Sequence, residues 1–202
     1  MQNELREKYK EGLYKKIHFN LLRNREVLDI GCGDGEDAFN LSKIAKKVIA
    51  FDIKKFQEWR KYKNSKLSFK VADAQNMFFK NKMFDGILLK DVLHHVEKPE
   101  KVLKEIDRVT IKGSVIILIE ANRYNPLFYI HMTKILGHEH LTQKKFKELI
   151  RERFVNAAFY HFESHFYPNK LIQGFLKLFQ LFMEKTPLLN SFLSYNVAVI
   201  KK

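Results

Sequence analysis

The chain has 202 residues, enough to bury one substantial core but short for two, and its four prolines and eight glycines leave little for a disordered linker. Lys and Arg outnumber Asp and Glu by 37 to 23, a formal +14 that favours anionic partners without naming one and is also what a lysine-rich solvated surface gives. One cysteine, Cys32, excludes an internal disulfide or a multi-cysteine metal site, and neither a signal-like apolar core nor an uninterrupted apolar run of about 18–20 residues is present, so a single cytoplasmic domain over 1–202 is expected.

Leu5, Tyr9, Leu13, Ile17 and Leu21 recur at helical spacing and predict an N-terminal helix within 1–24. Val27–Ile30 is a short apolar run, as in a buried parallel strand, entering a glycine cluster. Glu36–Lys46 then reads as a helix, Lys47–Ile53 as a strand, Lys54–Asn64 as a helix and Leu67–Ala72 as a strand stopping at Asp73. Phe84–Leu89 is the next strand. Pro99 opens a helix with Val102, Leu103, Ile106 and Val109 on one face, Gly113 is the expected stop, and Ser114–Glu120 is another strand. Strand and helix alternating in this way predict an α/β, doubly wound, mostly parallel sheet. In the last third, Leu141–Arg153 reads as a helix capped by Thr142, while Ala157–Phe166 and Ser194–Ile200 read as strands. These two would close the sheet as an antiparallel hairpin around a helical insert, Leu171–Met183.

The most specific local signal is Val27-Leu28-Asp29-Ile30-Gly31-Cys32-Gly33-Asp34-Gly35. A buried strand running into glycines lets the backbone turn and approach a ligand closely, while the following helix offers free N–H groups. The dinucleotide fingerprint would place glycine where Glu36 stands, so the pyrophosphate reading weakens. Asp52 closes the next strand about 20 residues later, where a carboxylate can accept from both hydroxyls of a ribose, and Asp73 closes the third, where it could accept from an adenine amino group. Each aspartate alone is more often a helix cap or loop residue. Their common register at strand ends favours one ligand site.

On these residues the chain resembles the class I S-adenosylmethionine-dependent methyltransferases, most closely the type 11-like small-molecule and lipid group. The likeness runs from Val27 to about Asn122 and takes in Ala72-Asp73-Ala74, Phe84-Asp85-Gly86-Ile87 and Asp91-Val92-Leu93-His94-His95-Val96. It implies a seven-stranded Rossmann-like sheet with S-adenosyl-L-methionine held by residues of 25–122. Asp29 would orient the loop, and Gly31, Cys32 and Gly33 would pass the methionine and ribose portions. Asp52, with Ile53 beside it, would hold the ribose; Asp73 and Ala74 would read the adenine; Lys90 and His95 would face the methionine end. Lys90 departs from the small or polar residues common there, and its ammonium would have to turn away from the sulfonium. His95, and less so His94, is the candidate catalytic base.

No metal is expected: His131, His138, Glu139 and His140 fall in a loop without converging spacing. The acceptor would be small or lipid-like and approached by residues of 123–202, with Arg123, Tyr124, His138 and the Leu171–Phe182 helix as its pocket and lid. The spacing within Leu171–Phe182 is otherwise that of a face packed on the core. Nucleic acid is the less favoured partner, since no D/N-P-P-Y/F pattern follows the fourth strand; peripheral membrane association and a non-catalytic cofactor-binding protein are further alternatives. The sequence leaves the oligomeric state open.

Overall fold

The computed structural model describes residues 2–126, 129 and 140–202. Seven strands form its sheet: β1 (Glu26–Ile30), β2 (Lys47–Asp52), β3 (Leu67–Val71), β4 (Phe84–Lys90), β5 (Thr110–Ala121), β6 (Ala158–Phe162) and β7 (Tyr195–Lys201). Their order is β3-β2-β1-β4-β5-β7-β6. The first five run parallel, and β7 lies antiparallel to both β5 and β6. Order therefore reverses between β1 and β4, and the strand carboxyl ends there flank a crevice suited to a ligand.

Both faces of the sheet are covered. On one, α3 (Pro99–Val109) and α4 (Gln143–Arg151) pack through Val102, Leu103, Ile106, Phe146 and Ile150 onto Leu28, Ile30, Ile87 and Leu89. On the other, α1 (Gln2–Lys16) and α2 (Glu36–Ser42) contribute Leu13, Ala38 and Leu41 against Val27, Val48 and Ala50. Each large aliphatic side chain fully buried in this way contributes about 1.5–3 kcal/mol. Thr142 caps α4 as its sequence suggests, accepting from the Lys145 N–H at 3.2 Å.

Four sequence expectations need correction. The first helix ends at Lys16, because His18 turns left-handed at φ 54° and Leu21 enters a short 3-10 turn, Phe19–Leu22. Lys54–Asn64 holds only the 3-10 turn Gln57–Lys61, which drops Trp59 under the glycine loop instead of building an apolar helix face. Gly113 is not a helix stop: β5 starts at Thr110 directly after α3, and Gly113, at φ 86°, lies where the β4–β5 register shifts. Finally, the insert helix α5 (Lys170–Lys185) buries only Met183 fully, and Leu171, Phe175, Leu178 and Phe182 face solvent.

Candidate functional site

A cavity of about 730 Å³ opens at the carboxyl ends of β1, β2, β3 and β4, within the range of small-molecule sites. Asp29, Gly31, Cys32, Gly33, Asp52, Ile53, Asp73, Ala74, Lys90 and His95 all line it, so every cofactor residue expected from the sequence reaches one space. His94 does not line it.

The loop after β1 is pinned from β2. Gly31 N–H and Cys32 N–H both donate to the Phe51 carbonyl at 2.8 and 2.9 Å, and Gly33 N–H donates to Asp52 Oδ2 at 3.0 Å. The Trp59 indole N–H holds the Gly33 carbonyl at 2.8 Å. Gly31 and Gly33 have φ of 71° and 52°. They differ in what surrounds them: a Cβ on Gly31 would meet Val92 Cγ2 at 2.3 Å, whereas one on Gly33 would meet nothing within 4 Å. Glycine at 31 answers to packing, and at 33 to backbone conformation beside an open cavity. The Cys32 thiol is pushed up by burial and by the Asp29 charge, which makes it an unreactive wall atom.

Asp29 was expected to orient this loop, but the loop N–H groups go to Phe51 and Asp52 instead. Asp29 is 3% exposed and its Oδ2 has no hydrogen-bond partner. Burial first, then the like charge of Asp37, raise its carboxyl to about 8 against the pull of Lys90. A buried acceptor left open beside a cavity is the natural place for a ligand's cationic or N–H group. Asp73 accepts from the Gln75 N–H at 2.8 Å, a local turn that leaves its carboxylate at the cavity rim.

Lys90 lines the cavity beside Asp37 and is tied to it. Its Nζ donates to Asp37 Oδ2 at 2.9 Å, and Asp37 Oδ1 accepts from Lys10 Nζ and the Tyr14 hydroxyl, each at 2.8 Å. Burial works against charge at both Asp37 and Lys90; the two lysines outweigh it at Asp37 and hold that carboxyl below the usual range, while Asp37 raises Lys90. Arg6 pairs with Glu36 beside them, so α1 closes one wall of the cavity with Arg6 and Lys10. Sequence reasoning missed this cluster, whose partners lie 27 and 53 residues apart in the chain.

The segment after β4 is anchored by a second buried carboxylate. Glu120, fully buried, accepts from the Val92 and Leu93 N–H groups at 2.9 and 2.6 Å and pairs with His94 Nδ1 at 2.5 Å. Burial lowers His94 but Glu120 outweighs it, and the net shift is upward. His94 thus braces the turn, and His95, whose ring lies 4.0 Å from it, faces the cavity. Asp91 sits between them and Lys90 in the left-handed region, at φ 55°, with Oδ1 accepting the Ala121 N–H at 3.1 Å; burial pushes its carboxyl up to about 6. Aspartate is among the few non-glycine residues that tolerate this conformation.

Of the acceptor-side residues, Arg123 is half-buried with its N–H on the Leu141 carbonyl, and Tyr124 is exposed. His131, His138 and Glu139 lie outside the described residues, while His140 is buried with its ring 4.3 Å from His94.

Residues 28–118 match a family model described as a methyltransferase domain. Norajmaline N-methyltransferase of Rauvolfia serpentina is 33% identical over 47% of this chain and 35% of its own length. The tRNA U34 carboxymethyltransferase of Nautilia profundicola is 30% identical over 51% of this chain and 36% of its own. The matched stretch thus spans about a third of each of those relatives. A SAM dependent methyltransferase structure from Archaeoglobus fulgidus superposes with a TM-score of 0.69 and 22% identity, covering 98% of this chain and 94% of that one, a likeness of fold.

Proposed function

Residues 28–118 belong to the methyltransferase-domain family, and from that premise we propose that the chain binds S-adenosylmethionine in the cleft described above and transfers its methyl group to a small, hydrophobic or ring-containing acceptor. One observation carries the reading: Asp29, Asp52 and Asp73, at or just past the carboxyl ends of three parallel strands, converge with the glycine loop on a single cavity. The residues fit the cofactor. Asp29 offers an open acceptor, Gly33 leaves room for a ligand against the backbone, and Lys90 is drawn onto Asp37, which keeps its charge off a cationic donor.

When bound, a sulfonium supplies an already activated methyl group, so the protein's tasks are alignment and exclusion of water. Asp52 and Asp73 would fix the nucleoside end, and Asp29, beside the open backbone at Gly33, the methionine end. His95 is placed to accept a proton where the acceptor must lose one; Glu120 and His94 hold that turn in register from behind. Arg123 and Tyr124, which follow β5 and do not line the cavity itself, would meet the acceptor on its approach.

Isothermal titration with S-adenosylmethionine and its demethylated product tests the core of this reading, and absence of binding at millimolar ligand would remove it. A second reading, methylation of an RNA, draws on Lys54, Lys55, Arg60, Lys61, Lys63, Lys66 and Lys70, all exposed around edge strand β3. Tritiated methyl incorporation into separated metabolite, lipid and RNA fractions distinguishes the two.

A further inference from the structure

Helix α5 has its apolar stripe on the wrong side for a core helix. At about 100° per residue, Leu171, Phe175, Leu178 and Phe182 fall within an arc of roughly 60°, and they are 85%, 67%, 68% and 60% exposed. Leu188, in the 3-10 turn that follows, is 89% exposed. A stripe of this size left in water is costly unless something covers it.

Charge says what that cover is. Lys185 is exposed beside the stripe, and Lys170 and Lys177, also exposed, lie further round on the same side, at the cleft against α1 that Lys8 and Lys16 line too and where Lys170 acts on Glu4. The helix has one acid, Glu184, and it is turned inward, pairing with Lys16 and accepting the Glu163 N–H at 2.9 Å. The helix's own exposed side chains are therefore apolar or cationic, the pattern of a helix lying in a lipid interface with its lysines among anionic headgroups. Topology gives the orientation. Phe162, ending β6, pairs with Tyr195, starting β7, and Tyr195 pairs with Ala121 at the end of β5. The chain between β6 and β7, α5 included, thus leaves and rejoins the sheet at the edge where the cofactor cavity opens.

We propose that α5 and the turn after it dock the protein on an anionic bilayer surface, with the acceptor approach facing the lipid. The proposal deepens the methyltransferase reading, on which it rests for its purpose, by naming where a hydrophobic acceptor is met; its measurement needs no methyl transfer.

The test is co-sedimentation of the whole chain with phosphatidylcholine vesicles with and without phosphatidylglycerol. Binding is expected to the anionic vesicles and to fall severalfold as salt is raised. The double variant Phe175→Ser, Leu178→Ser, both positions being solvent-exposed, should bind at least tenfold less while its S-adenosylmethionine affinity, the check on folding, stays unchanged. Vesicle binding that persists in the double variant, or equal binding to neutral vesicles, overturns the proposal. So does a dimer in sedimentation velocity that the same variant dissolves, with no vesicle binding, because the stripe would then be an interface between copies. Vesicle binding without any cofactor binding would sink the methyltransferase reading and leave the docking surface standing.

Discussion

Replacing Asp52 by Ala removes the carboxylate that ends β2 at the cavity. Its Oδ2 accepts the Gly33 N–H at 3.0 Å, and the hydroxyls of a bound ribose would donate to the same group. A hydrogen bond to a charged acceptor contributes about 1.5–3 kcal/mol. At about 1.4 kcal/mol per decade, the dissociation constant for S-adenosylmethionine should rise roughly 10- to 150-fold. The loop itself should hold, because the Phe51 carbonyl keeps Gly31 and Cys32 at 2.8 and 2.9 Å and Trp59 keeps the Gly33 carbonyl at 2.8 Å. Asp52→Asn retains an acceptor without the charge and should fall between wild type and Asp52→Ala. Calorimetric titration of the three proteins, run beside thermal unfolding, decides it. Unchanged affinity in a normally folded Asp52→Ala protein refutes the placement of the ribose at this strand end.

Asp29 makes stability depend on pH: its carboxyl is raised to about 8, so the folded chain holds the proton more tightly than the unfolded one. That contribution is complete below the ordinary carboxylate value of about 4 and is lost as pH climbs toward about 8; urea unfolding across this window should decline more steeply in wild type than in Asp29→Asn, and equal slopes would contradict it. Gly31→Ala should cost about 1–3 kcal/mol of stability through its clash with Val92, added to the strain of a Cβ at φ 71°, whereas Gly33→Val meets no atom but strains the backbone at φ 52° and should lower both stability and cofactor binding; a Gly31→Ala protein as stable as wild type in urea would show that Val92 can yield. Glu120→Ala leaves the His94 ring and two N–H groups without their carboxylate and should cost about 3–5 kcal/mol, read as a lower denaturation midpoint; a loss under about 1 kcal/mol would mean that water replaces the carboxylate freely.

What the sequence made legible was local. The β1 strand, its glycines and the aspartates at strand ends could be read because each signal sits within a few residues and the parallel topology brings the ends together. The Asp37 cluster could not, since nothing in Glu36-Asp37 at the start of a helix distinguishes a dipole-favourable acid from a buried ion-pair hub. Glu120 was equally silent: a glutamate closing an apolar strand looks like an exit to solvent, yet it is fully buried. At α5 the spacing was read correctly and the side wrongly. Helical periodicity states that one face is apolar and says nothing about whether protein or solvent lies against it.

Lys90 shows how such long-range pairs decide a local question. In an effective dielectric of about 20, two unit charges 4 Å apart interact by about 4 kcal/mol, enough for an unpaired ammonium to repel a cationic donor decisively. Asp37 removes that conflict by drawing Lys90 Nζ to 2.9 Å, but Asp37 is buried and could not remain charged on Lys90's account alone without partners for its other oxygen. Lys10 and Tyr14 of α1 supply them at 2.8 Å each. The N-terminal helix, which contributes no strand to the sheet, therefore sets the electrostatics of the cavity at Lys90, and that lysine and the polar face of α1 belong to one arrangement.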